Sequence, residues 1–102
     1  MVSIIENNQE KLESLCRKFH VCRLDVFGSA ATGHMTESSD LDFLVEFDET
    51  VNPNRFDNFF AFQDALMKLF NKPVDLVEPG GLRNPYFIRR VEQTRRPIYA
   101  AS

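Results

Sequence analysis

Val26-Phe27-Gly28-Ser29, ten residues, then Asp40-Leu41-Asp42-Phe43-Leu44-Val45 is the stretch that decides the reading of this chain. A β-branched and aromatic run ends at a Gly-Ser corner, and a polar loop leads to a second apolar run headed by two carboxylates. Alternate strand side chains share a face, so Asp40 and Asp42 project together, with Cα atoms about 6.5–7 Å apart. Carboxylates that close can share one or two hard cations, which sit about 3.5–4 Å apart in paired sites. Gly28 lets the backbone approach a ligand, and Ser29 offers an N–H and a hydroxyl to an anion. A Gly-Ser corner alone is a turn, and Asp-x-Asp alone is a solvated strand start. Together, at the ends of hydrophobic strands and with a third carboxylate in Val74-Asp75-Leu76-Val77, they describe a site for a metal–nucleoside triphosphate.

Working outward, Leu41, Phe43, Val45 and Phe47 line one face of the second strand and Asp42, Leu44 and Glu46 the other, which makes the latter the catalytic face. Upstream, Ile5, Leu12, Leu15, Cys16 and Phe19 have helical spacing that stops at His20. Val21 to Phe27 follows as a strand with Cys22, Leu24 and Val26 on one face. Ala30-Ala31-Thr32 would open a short helix, and Gly33 to Ser39 is a polar loop in which His34 is a surface residue.

Downstream, Asn52-Pro53 is a cap and first-turn proline for a helix to about Phe70, ended by Asn71-Lys72-Pro73. Its stripe of Phe56, Phe59, Phe60, Gln63, Leu66, Met67 and Phe70 is widened by Phe62 and Leu69. That breadth leaves room for a protein interface, with Phe59, Phe62 and Leu69 as candidates. Val74 to Glu78 is a third strand. Asp75 there is not explained by packing, because a buried carboxylate without a partner is costly, so it should lie beside the Asp40/Asp42 edge. Asn84-Pro85 starts a last helix to about Thr94, and Pro97-Ile98-Tyr99 is an extended finish.

A chain of 102 residues is expected to form a single domain, spanning 1–102. Ten phenylalanines without tryptophan, and ordinary charge content, indicate a soluble globular protein. No apolar run approaches the roughly 20 residues of a membrane span, and the N-terminus lacks a signal-peptide core, so a cytoplasmic location is expected. Cys16 and Cys22 are expected to be two buried, reduced thiols. Seven carboxylates stand against Arg55 between Glu37 and Asp57, whereas five arginines (Arg83, Arg89, Arg90, Arg95, Arg96) stand against Glu92 after Gly80. The net charge of -3 argues against direct nucleic-acid binding. The arginines suit a triphosphate or an acidic protein partner, a solvated helix face being the plain alternative. Strand–helix alternation predicts an α/β fold: a small mixed β-sheet, helices packed on one face, and the site at the sheet edge beside the Gly-Ser turn.

Gly28-Ser29, ten residues, then Asp40-Leu41-Asp42 resembles the motif of the DNA polymerase beta-type nucleotidyltransferase superfamily. The short length, and Val74-Asp75-Leu76-Val77 followed by Leu82-Arg83-Asn84-Pro85-Tyr86, are similar to its minimal nucleotidyltransferases, antitoxins of HEPN/MNT toxin–antitoxin pairs. The resemblance implies the nucleotidyltransferase fold and Mg-dependent transfer of AMP from ATP to a hydroxyl. Asp40 and Asp42 would hold two Mg²⁺, Asp75 would ligate the acceptor-side metal and help take the proton, and Gly28 and Ser29 would bind the β- and γ-phosphates. It also implies the acceptor, a tyrosine of a HEPN-domain ribonuclease toxin, and a hetero-oligomer with that partner. Two other readings stay open: an antitoxin that works by binding alone, and a small-molecule nucleotidyltransferase subunit. Many relatives carry a basic residue where this chain has Thr32, and another arginine such as Arg83 is a candidate to replace it.

Overall fold

A computed structural model describes residues 3–28, 31, 40–48, 50, 55–81 and 83–101. The chain order is α1 (Ser3–Glu6), α2 (Gln9–Lys18), β1 (Val21–Phe27), β2 (Leu41–Phe47), α3 (Arg55–Phe70), β3 (Val74–Val77), α4 (Pro85–Thr94) and β4 (Arg96–Ala100). The strands form one sheet in the order β3-β2-β1-β4. β1 runs antiparallel to both β2 and β4, and β2 runs parallel to β3. The mixed sheet is thus as the sequence predicts, and the extended finish is its fourth strand.

Alternation in β2 divides the molecule. Leu41, Phe43 and Val45 are fully buried against Phe62, Leu66 and Phe70 of α3 and Leu12 and Cys16 of α2. The α3 residues are four apart, so they stack on one helix face. Phe43 stacks on Phe70 with ring centroids 5.9 Å apart. The helix stops where Asn71 takes a left-handed φ of 53°, and Pro73 then starts β3 by accepting from the Leu41 N–H at 3.0 Å. Gln63 of α3 reaches across to the Val74 carbonyl at 2.9 Å, which fixes that strand's start against the helix.

The predicted single first helix is two, broken at Asn7–Asn8, with the Asn8 amide donating back to the Ile4 carbonyl at 2.7 Å. In β1 a register shift between Val21 and Arg23 changes the alternation. Val21, Leu24 and Val26 therefore face the core, and Cys22 is exposed. The expectation of two buried thiols holds for Cys16 alone. Burial, helped by Glu13 and opposed by Arg17, pushes the Cys16 thiol up to about 12, so it stays a protonated packing group.

The opposite sheet face, expected to be open, carries a smaller layer. α4 is capped as predicted: the Asn84 side chain accepts from the N–H groups of Tyr86 and Phe87, with Pro85 in the first turn. Its Val91 packs with Phe27 and Leu44, flanked by Val77 and Phe87. Helices therefore lie on both faces, because α4 has its own apolar stripe and a charged anchor at its end, described below.

Candidate active site

The register brings the predicted carboxylates together. Phe27 at the end of β1 is opposite Asp42, and Asp42 is opposite Asp75 across the parallel pair. Asp40 lies just before β2. Asp42 is half-buried, whereas Asp40 and Asp75 are exposed. The packing objection to Asp75 therefore does not hold, since it sits in water on an edge strand. The carboxylate buried among apolar neighbours is Asp25, in Leu24-Asp25-Val26, where sequence reasoning did not look.

Gly28 closes the corner in the left-handed region with φ 72°. A Cβ there would lie 2.7 Å from Asp42 Oδ2. Glycine is thus required twice, by the backbone conformation and by the carboxylate seated against it. The Gly28 N–H donates to Thr94 Oγ1 at 3.0 Å, and the Thr94 hydroxyl donates to the Arg90 carbonyl at 2.7 Å. The Ala31 N–H donates to the Gly28 carbonyl at 3.1 Å. Ser29, the residue predicted to share phosphate binding with Gly28, lies outside the described residues, as do Thr32, His34, Asn52 and Pro53.

The site holds unbalanced negative charge. Burial first, then Asp75 and Asp40, raise the Asp42 pKa to about 6, while Arg90 pulls it down. Among the described residues no three His, Cys, Asp or Glu side chains are gathered closely enough to cage a metal ion. That is no misfit for Mg²⁺, which keeps several waters and is held by one or two carboxylates plus substrate phosphates rather than by an all-protein cage. Asp40, Asp42 and Asp75 at one strand edge, Asp42 with raised proton affinity, offer hard-oxygen donors that suit a divalent cation.

Behind this edge Asp25 is 1% exposed and accepts from Arg95 Nε at 2.7 Å and from Arg23 Nε at 3.3 Å. It ties the end of α4 to β1. With Thr94 on Gly28, the end of α4 thus grips both the strand and its corner.

The mixed sheet with its carboxylate-lined edge is the nucleotidyltransferase fold. Residues 9–98 match the nucleotidyltransferase domain family, and the chain belongs to it. A protein of Methanocaldococcus jannaschii, provisionally named a protein adenylyltransferase, is 40% identical over 79 residues, 78% of each chain. A solved structure of a protein provisionally described as a minimal nucleotidyltransferase is 33% identical, with a TM-score of 0.74 and 91% of each chain covered. A chain from the complex of a tri-AMPylated Shewanella oneidensis HEPN toxin with MNT antitoxin shares the fold at 17% identity. Its TM-score is 0.63, covering 94% of this chain and 72% of that one.

Proposed function

We propose that this chain, acting as one domain in the cytoplasm, transfers AMP from ATP to a tyrosine hydroxyl of a HEPN-domain ribonuclease toxin and so serves as its antitoxin. The observation that carries the reading is Asp42, in register with Asp75 and packed against a left-handed Gly28. The adenylyltransferase name of the relative at 40% identity supports the transferred group. Support for the HEPN partner is the fold-level likeness to the toxin–antitoxin complex.

In this reaction the acceptor oxygen attacks the α-phosphorus and the bond to the α–β bridging oxygen breaks. Pyrophosphate leaves with that electron pair, and the acceptor proton passes to Asp75. Asp40, Asp42 and Asp75 would hold two Mg²⁺, which supply charge neutralisation on the triphosphate and the acceptor. Gly28 and Ser29 would bind the β- and γ-phosphates, and the left-handed Gly28 turns the chain so that backbone can approach them.

Intact mass of the toxin after co-expression tests this. Wild type should leave nucleotide adducts and Asp75→Ala none, although Asp75→Ala still binds its partner. Unmodified toxin in both samples, with protection kept in both, would mean that the chain works by binding alone.

A further inference from the structure

The geometry points to Arg90 as a side chain that holds the β- and γ-phosphates of the triphosphate. The inference rests on the adenylyl-transfer reading and adds a residue to its site.

The placement follows from how α4 is fastened. At about 100° per residue, Val91 lies roughly 40° to one side of Phe87 and Thr94 roughly 20° to the other. These three form the stripe that faces the sheet: Phe87 meets Phe27 edge-on at 5.8 Å, Val91 is buried, and Thr94 takes the Gly28 N–H. Arg90 lies about 60° from Phe87 on the Thr94 side, at the border of that stripe. Its carbonyl accepts from the Thr94 hydroxyl, one turn from the Gly28 corner that Asp42 packs against. The Asp25–Arg95 pair pins the helix end, so Arg90 is carried on a fixed support.

Its chemistry fits as well. Arg90 is exposed and, among the described residues, makes no ion pair. A guanidinium on the side of α4 turned toward the Gly28 corner suits two phosphate oxygens at once. There it would also balance the charge that grows on the leaving pyrophosphate. Arg83, the replacement suggested by sequence, lines instead a groove of about 870 Å³ with Phe56, Phe60 and Gly80. Arg89 lies about 200° from Phe87, on the far side of the helix.

Calorimetry with Mg²⁺ and a non-hydrolysable ATP analogue, and separately with AMP, tests the assignment in the full chain. Arg90→Gln should weaken the triphosphate by about tenfold or more, leave AMP affinity and thermal melting unchanged, and raise KM for ATP. Arg90→Lys should retain part of the affinity, and Arg89→Gln all of it. Wild-type triphosphate affinity in Arg90→Gln, while Asp42→Ala loses it, would overturn the role of Arg90 and leave the site reading standing. Equal losses for AMP and triphosphate, or equal losses in Arg89→Gln, would also overturn it. A wild-type chain that binds no Mg²⁺–triphosphate would remove both readings together.

Discussion

Asp42 and Phe43 are neighbours in β2, and the two sheet faces they point to are built for different ends. The Phe43 face is dry: Leu41, Phe43 and Val45 are fully buried beneath two helices. The Asp42 face is divided between a small core at Phe27, Leu44 and Val91, a buried ion pair at Asp25, and an open edge at Asp42 and Asp75. Burial alone does not tell what a carboxylate on this face does; its partners do. Asp25 has two guanidinium partners and fastens α4. Asp42 is half-buried with two carboxylate neighbours, and burial first, then their repulsion, raises its proton affinity. Such repulsion can persist because the packing on the far side holds the same strand in place.

The largest expected effect tests the dry face. Phe43→Ala removes a fully buried ring and should cost about 3–5 kcal/mol, a large part of the roughly 5–15 kcal/mol that holds a domain folded. On the same helix layer Phe60 is 60% exposed, and Phe60→Ala should stay within about 0.5 kcal/mol. Urea midpoints for the two variants give the contrast directly. Equal losses would mean that α3 does not pack on the side described.

The next effect tests the anchor. Asp25→Asn leaves Arg95 and Arg23 without their carboxylate and should cost about 3 kcal/mol, the lower end for a broken buried pair. The Arg95 side chain is 28% exposed and can turn to water, which limits the loss. A double-mutant cycle with Arg95→Gln should return a coupling above about 1 kcal/mol. Additive losses would reduce Asp25 to a buried polar residue with no role in fastening α4.

Local signals made much of this legible. The alternation of β2 and the Asn84-Pro85 cap depend on neighbours in sequence, and both were readable there. Asp75 does stand opposite Asp42, but the cost of burying a carboxylate, the ground on which it was expected there, does not apply to an exposed residue. Other features depend on distant partners. Asp25 is satisfied by Arg95, 70 residues away, and only the position of Arg95 separates it from an ordinary strand-edge carboxylate. The breadth of the α3 stripe pointed to an interface, but its phase was unreadable: Phe62, an interface candidate, is fully buried, whereas Phe56 and Phe60 are exposed. A one-residue shift in β1 turned Cys22 outward, and no composition rule anticipates a bulge. Arg90 belonged to a run of arginines, and only the helix phase set by Phe87, Val91 and Thr94 singles it out.

The smallest effect has the opposite sign and tests the open edge. The Asp42 pKa is raised from 3.8 to about 6, by burial first and then by Asp75 and Asp40. Between those two values the folded chain binds more protons at this residue than the unfolded chain does. Stability therefore falls as pH rises through that window, and the penalty is fully present above about pH 6. Asp42 is only half-buried, so solvent screening leaves on the order of 1 kcal/mol of that penalty. Asp42→Asn removes the charge and keeps the shape. At pH 7.5 without divalent cation it should melt about 4–8 °C above wild type, and at pH 3.5 the difference should vanish. Mg²⁺ with a triphosphate should raise the wild-type melting temperature and leave that of Asp42→Asn nearly unmoved, because only the carboxylate gains from the cation. Parallel melting curves for the two proteins across this pH range would mean that Asp42 carries no strain from its neighbours. The edge would then be a set of separately solvated carboxylates, with no stored repulsion for a cation to relieve.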